Sequence, residues 1–426
     1  MTLWRNWAGN QQCQPVAVEH PESADELAAL IKRAAGEGRT VKVVGAGHSF
    51  TDIACTNGYQ VVLDRYQKVL AIDTKQRQVT VQAGIPISEL NEQLYGFGFA
   101  MPNLGDIAYQ SVAGAVSTAT HGTGIKLGGI ATQIVGLELI GGDGSVVTCS
   151  ADEEPEVFRS ARVSLGALGV LSTVTLQCVP SFNLHAVEEP MRVDAVLDSI
   201  DEHVEGNDHF EFFWVPHSGW ALTKRNNRTD EEVGGRSRWE KFRDKVLLEN
   251  VAFGAACRIG RRKPEWIPRL AKAIPSSGRT EYVERSYRTF ASPRWVHFYE
   301  MEYAIPRAAL PEALNRVRKM IDERGLMIGF PVEVRFVQGD DIPLSTASGR
   351  DTAYIAVHVY QGMAYEQYFR AVEEIMDSYG GRPHWGKLHF QTAATLAERY
   401  PYWDAFQSVR QRLDPERRFT NPYLDR

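Results

Sequence analysis

The feature that most constrains this chain is the run Val41-Lys42-Val43-Val44-Gly45-Ala46-Gly47-His48-Ser49-Phe50. Four residues of strand character lead into a tight Gly-x-Gly turn, and an imidazole and a hydroxyl follow at once. Glycine in such a turn allows positive φ and a close approach of backbone to ligand. Successive free N–H groups form an anion-binding concavity suited to a pyrophosphate. A nicotinamide dinucleotide fingerprint would place a third glycine three residues after Gly47. Phe50 stands there instead. The run therefore reads as a phosphate loop that presents a histidine, and not as a standard nicotinamide turn.

The segments around it read as an α/β unit. Ser23 with Glu26 forms a capping box, and Leu27, Leu30, Ile31 and Ala34 make the apolar stripe of a helix that Gly36 and Gly38 close. Strand-like runs follow at 60–63, 69–73 and 78–82, then a short helix at 88–95. The stretch Gln110 to Gly124 is crowded with small and hydroxylated residues and has little bulk. A large flat ligand lying against its backbone accounts for this better than a packed core. A hairpin is expected from 135–140 and 146–149, and the turn Ser164 to Val170 leads into a strand at 171–179. Three glycine-bearing turns beside strands point to one extended ligand held by main chain at several places.

Pro180 marks a change of texture. Aromatic residues become dense (Phe210, Phe212, Phe213, Trp214, Trp220), and the polar segment 226–239 reads as an exposed loop. Helices are expected at 311–324 and 364–378, with strands at 330–337 and 352–360. On the first of these strands the period of two places Glu333 and Arg335 on one face and Val332, Val334 and Phe336 on the other. The pair is either a surface ion pair or a site, because an Arg held by a carboxylate can polarise a hydroxyl or carbonyl. His384-Trp385-Gly386-Lys387-Leu388-His389 gathers two imidazoles, an ammonium and an indole, which are costly to bury without purpose. No Cys or His pair elsewhere has matching ligand spacing, so no metal is expected. His358 reads either as a hydrogen-bonded core histidine or as a wall of the same cavity.

Net charge is −6 with the signs intermixed, which argues against nucleic acid as a partner. The five cysteines lie far apart without a C-x-x-C pair, which fits a reducing, cytoplasmic setting. No apolar run is long enough for a membrane span.

Gly45 to Phe50, Ser111-Val112-Ala113-Gly114 through Thr120-His121-Gly122-Thr123-Gly124, Leu165 to Val170, Glu333-Val334-Arg335 and His384 to Lys387 occur in that order. Together they resemble the vanillyl-alcohol-oxidase-type flavoproteins, and within them the sugar-1,4-lactone oxidoreductases acting on L-gulono- or D-arabinono-1,4-lactone. The resemblance runs from Trp4 to Tyr423. It implies an α+β fold of two domains, with an FAD-binding domain over 1–180 and a substrate (cap) domain over 181–395. Residues 396–426 would form a tail returning to the FAD-binding domain. FAD would be held by Val44, Gly45, Ala46, Gly47, His48 and Ser49, by Ser111, Gly114, Ser117, Thr120, His121, Gly122 and Gly124, and by Gly169 and Val170. His48 matches a position often bonded covalently to the flavin.

The same resemblance implies oxidation of a lactone C2 hydroxyl by hydride transfer to flavin N5, giving an ascorbate-type product. Glu333, Arg335 and Lys387 would be the catalytic residues, and Ser111 and His384 would join them in binding substrate. Electrons would pass to O2 or to a cytochrome or quinone carrier. Alternatives are an alditol oxidase of the same fold, a nicotinamide-dependent dehydrogenase and a non-catalytic carbohydrate-binding protein.

Overall fold

The computed structural model describes residues 3–237, 250–273, 278–291 and 295–426. Near the start, helix α1 (Ala24–Gly36) is capped by Ser23, whose hydroxyl accepts from the Glu26 amide at 3.2 Å. Its buried stripe of Leu27, Leu30, Ile31 and Ala34 packs with Val41, Val61 and Phe419. Strand β1 (Val41–Val44) lies parallel to Tyr59–Val62, which in turn pairs in parallel with Ala17–Glu19. Beside this three-stranded sheet stands an antiparallel one of five strands, in the order 146–150, 134–140, 170–177, 78–82 and 69–73. The expected hairpin is its edge pair, with Val146 opposite Ile140.

The second half is built on an eight-stranded sheet. Its order is 280–285, 183–192, 220–229, 209–215, 332–337, 352–360, 298–306 and 382–383. One face carries Phe210, Phe212, Val332, Val334, Phe336 and Ile355, packed under helices Leu310–Glu323 and Glu366–Asp377. Those helices fall where their apolar spacing predicts them. The other face carries charge, and both faces are covered.

That covered polar face explains one error of the sequence reading. Asn226–Thr229 are not an exposed loop but the end of strand Trp220–Thr229. Asn226 lies opposite both Ala186 and His209 and is buried. Asn226 faces a covered polar layer, whereas residues 230–235 are exposed and lie outside the strand, as expected. Residues 238 and 239 of that segment lie outside the described residues.

The C-terminal residues run back onto the first half. The Val41 amide donates to the Arg418 carbonyl at 2.8 Å, and the buried ammonium of Lys42 reaches the Phe419 carbonyl at 3.2 Å. Asn421 is the firmest tie. Its amide nitrogen donates to the carbonyls of Asp52, Ile53 and Cys55, each at 3.0 Å. Its Oδ1 caps the last helix at the Leu424 amide, 3.1 Å away. Among the described residues no helix is long and apolar enough to cross a membrane.

Asn421 is buried, so removing its side chain leaves the Ile53 and Cys55 carbonyls and a helix end without this partner. Asn421→Ala is expected to destabilise the protein by about 1–3 kcal/mol, seen as a lower denaturation midpoint of the purified protein. A midpoint equal to wild type would show that the tail is held without this residue.

Candidate active site

After β1 the chain turns through Gly45–Ser49, with Gly47 at φ +69°. The amide N–H groups of Gly45, Ala46, Gly47, His48 and Ser49 have no acceptor among the described residues. Five neighbouring donors left free are a nest for an anion. The turn abuts the N-terminus of helix α2 (Val112–Ser117), where the Ser111 hydroxyl accepts from the Gly114 amide at 3.2 Å. A Cβ on Gly45 would stand 2.8 Å from Ser111 Oγ and 3.8 Å from the Gly114 Cα. Glycine therefore lets the two small-residue stretches touch.

One cavity is lined by Val44, Gly45, Ala46, Gly47, His48 and Ser49, by Ser111, Gly114 and Ser117, and by Gly169. Its free amides and small-residue walls fit a dinucleotide with a pyrophosphate. Trp4 and Tyr109 also line it; neither stands out in the sequence, since a lone aromatic beside a loop carries no pattern.

Thr120, His121, Gly122, Gly124 and Val170 do not line this cavity. A Cβ on Gly122 would meet Asn103 Oδ1 and the Leu104 carbonyl at 2.3 Å, and Gly124 sits against the Asp208 carbonyl with its amide bonded to Phe336 O at 2.7 Å. Protein packing explains those two glycines. Val170 belongs to the core beneath α1.

His48 stacks on Trp7, ring centroids 5.1 Å apart, and Trp7 stacks in turn on His297 at 4.4 Å. Burial lowers the His48 pKa below the usual histidine value; Asp106 and Glu300 oppose this and His297 adds to it. Neither His48 ring nitrogen has a hydrogen-bond partner among the described residues.

The polar sheet face lies beside this loop. It carries Glu211 on β2 (His209–Val215), Glu300 and Glu302 on β3 (Phe298–Pro306), Glu333 and Arg335 on β4 (Val332–Val337), and Tyr354 and His358 on β5 (Thr352–Tyr360). Arg335 Nε donates to Glu211 at 2.8 Å; its terminal nitrogen lies 2.5 Å from Glu333 and 3.7 Å from Asp106. Burial pushes the Glu333 carboxyl up to about 7, with Arg335 pulling down and Asp106 and Glu211 pushing further up. Burial opposes the charge on Arg335, but its three carboxylates outweigh that and raise its pKa.

Lys387 is not a free cation. Its ammonium lies 2.5 Å from Glu300 and 3.0 Å from Glu302. Burial disfavours the charge, and the two carboxylates reverse this and raise the pKa. Glu300 is held down at about 2, because Lys387 and then His358 outweigh its burial. His384 is buried and pushed down to about 3, first by burial and then by Lys387. Its Nδ1 accepts from the Gly386 amide at 3.1 Å. His121–Glu302–His384 and Glu300–Glu333–His358 are each compact enough for a metal ion, yet the Lys387 ammonium already sits on the carboxylates of Glu300 and Glu302.

The two halves of the site are joined at Gly386, whose carbonyl accepts from the Phe50 amide at 2.7 Å. Glu211, Glu300 and Glu302 escaped the sequence reading. The signal was present: a carboxylate at alternate positions of Phe210-Glu211-Phe212 and Tyr299-Glu300-Met301-Glu302 repeats the pattern of Glu333 and Arg335.

Comparison with known proteins bears on these two halves in turn. Residues 15–150 match the FAD binding domain family, and residues 174–426 match the D-arabinono-1,4-lactone oxidase family. The chain is 48% identical to an L-gulono-1,4-lactone dehydrogenase of Mycobacterium tuberculosis, over 100% of this chain and 98% of that one. It is 37% identical to the L-gulonolactone oxidase of Mus musculus (99% and 97% covered) and 31% identical to an alditol oxidase of a Streptomyces species (99% and 98% covered). In fold it is similar to a solvent-stable cholesterol oxidase, with a TM-score of 0.86 at 17% identity over 99% of this chain and 96% of that one. A cradle built for a dinucleotide, followed by a charged sheet face within the matched second half, accords with these likenesses: the chain belongs to the D-arabinono-1,4-lactone oxidase family, with an FAD binding domain preceding that region.

Proposed function

We propose that this protein oxidises the C2 hydroxyl of an aldono-1,4-lactone, L-gulono-1,4-lactone or a close relative, using FAD. The observation that carries the reading is the convergence of the Arg335–Glu333 pair and Lys387 beside the His48 loop, joined through Phe50 and Gly386. FAD supplies the hydride-accepting position. The protein must orient the alcohol and stabilise negative charge on its oxygen. In this reading Arg335 and Lys387 supply the positive field, Glu333 fixes the Arg335 plane or receives a sugar hydroxyl, and Ser111 and His384 line the substrate position. The full-length relatives support the substrate class.

The same reading divides the chain into an FAD-binding part over 1–180, a substrate part over 181–395 and a returning tail over 396–426. The five cysteines are free thiols, which supports a cytoplasmic setting. The electron acceptor is O2 or a carrier; the relatives' names include both a dehydrogenase and oxidases.

Anaerobic mixing of purified protein with L-gulono-1,4-lactone is expected to bleach the flavin band. Recovery in air then marks an oxidase, and persistent bleaching a dehydrogenase. Arg335→Met should slow that bleaching at least ~100-fold, the order of loss for one charge-stabilising donor. No bleaching by any aldonolactone, with bleaching by xylitol, would replace the lactone with an open-chain alditol.

We also propose that His48 bonds covalently to the flavin. Its depressed pKa keeps the imidazole neutral and nucleophilic at pH 7. Acid-precipitated wild-type protein should stay yellow, and His48→Ala should release all flavin to the supernatant. A colourless wild-type pellet would refute the bond.

A further inference from the structure

A guanidinium can direct its field at a developing charge only if its plane is held. Three carboxylates surround Arg335, and they hold it in different ways. Glu211 accepts a directed bond from Nε at 2.8 Å, the two side chains being 7% and 13% exposed. Asp106 stands 3.7 Å from a terminal nitrogen, beyond hydrogen-bond length. Glu333 lies against that same nitrogen, yet its buried Oε1 accepts no hydrogen bond among the described residues. The charges of Arg335 and Glu333 touch without an N–H aimed between them. Nε is the guanidinium nitrogen nearest the flexible stem. A bond there fixes the plane and leaves the terminal N–H groups to face other partners.

Backbone register explains why Glu211 is in place. Strands β2 and β4 are antiparallel, with Phe212 opposite Val334 and Phe213 opposite Glu333. One step further along, that register sets Glu211 opposite Arg335. On its other side, Glu211 lies opposite Lys224 of strand Trp220–Thr229, and Lys224 lies opposite Glu188 of strand Asn183–Arg192. A row of alternating sign, Arg335, Glu211, Lys224, Glu188, thus crosses four neighbouring strands. Opposite charges facing each other across strands reinforce the pairing. Beyond Glu188 the row meets Tyr282, whose hydroxyl donates to that carboxylate at 3.1 Å. All five side chains line one small cavity, so they share a face of the sheet.

We infer that Glu211 is a positioning residue for the proposed reaction: it fixes the Arg335 plane, and Glu333 is thereby left to receive a sugar hydroxyl. The inference rests on the reading of Arg335 given above. Glu211 acts through Arg335 and not on the substrate, and the row behind it keeps the carboxylate where Nε needs it.

The test compares two substitutions by anaerobic stopped-flow reduction of the FAD-loaded protein with L-gulono-1,4-lactone, each rate taken per bound flavin. Glu211→Leu removes the acceptor, and the limiting rate should fall at least ~10-fold, as small misplacements near reacting atoms do. Glu211→Gln still offers an oxygen to Nε and should stay within about threefold of wild type. The lactone Kd of both should stay within about threefold, because the charge being stabilised develops only in the transition state. In the Arg335→Met background Glu211→Leu should cost less than about twofold, since nothing is left to position. A readout independent of turnover is the Arg335 Nε–H signal in nitrogen–proton NMR spectra, identified by its loss in Arg335→Met. It should exchange slowly with solvent in wild type and Glu211→Gln, and fast in Glu211→Leu. Where Glu211→Leu does not hold FAD, Glu211→Asp replaces it: the charge stays, the reach to Nε is one methylene short, and the same loss is expected.

A wild-type rate in Glu211→Leu, an equal loss in Glu211→Gln, an additive loss in the double variant or fast exchange in wild type would each overturn the inference. Slow reduction by Arg335→Met beside a normal Glu211→Leu defeats this inference alone. Unimpaired reduction by Arg335→Met defeats the proposed role of Arg335 from which it starts. If only an alditol reduces the wild-type flavin, the lactone reading fails, and the same comparisons with that alditol decide Glu211.

Discussion

Arg335 is the cation on which the buried polar face depends. Three carboxylates, from Asp106, Glu211 and Glu333, surround one guanidinium. Removing one partner of a buried ion pair typically costs about 3–5 kcal/mol, because a charge is left without compensation. Such a cluster is not an economical way to stabilise a sheet, since well-packed apolar residues of similar volume often do as well or better. The opposite face shows that choice made, with Val332, Val334 and Phe336 packed under two helices. A single strand thus carries both solutions at alternate positions. The apolar one holds the fold, and the charged one is what the proposed reaction would use.

The second constraint is closeness of backbone. Gly45 admits Ser111 to within contact, so the phosphate loop and helix α2 form one wall. The Phe50 amide then reaches Gly386, more than three hundred residues away, and the C-terminal run threads back through Lys42 and Asn421. The cradle and the charged face are built from opposite ends of the chain, yet each fixes the position of the other.

Much of this was legible in the sequence where a local rule applied. The capping box at Ser23, the helices at 311–324 and 364–378, and the split faces of 332–337 follow from period and capping. The turn at Gly45–Ser49 was legible because glycine spacing carries a physical meaning, and Gly47 does sit at positive φ. The failures share one cause, which is that burial is a property of the whole sheet. Asn226 reads as loop because it is polar, but it faces a covered polar layer. Gly122 and Gly124 pack so tightly, with Asn103 and Asp208 where a Cβ would stand, that packing alone accounts for the glycines. The partners of Lys387 are invisible in the sequence because Glu300 and Glu302 lie some eighty-five residues earlier, and only the sheet register brings them to it.

An alcohol oxidation separates two particles, a hydride and a proton, and they must not recombine or leak. The arrangement of charge here suits that separation. On one side, the loop amides and neutral His48 form a surface able to hold an anionic dinucleotide without a nearby titrating acid in direct contact. On the other, the carboxylates of Glu300 and Glu302 are pinned by Lys387 and capped by imidazoles whose second nitrogen is already committed to backbone. The first surface is shaped by main chain, which cannot change its charge. The second is made of paired side-chain charges. Between them stands Gly386, packed against Ser49 and His384 and bonded to the residue that ends the phosphate loop. The short run Trp385-Gly386-Lys387 therefore does two jobs: its backbone bonds the loop at Phe50, and its ammonium pairs with Glu300 and Glu302.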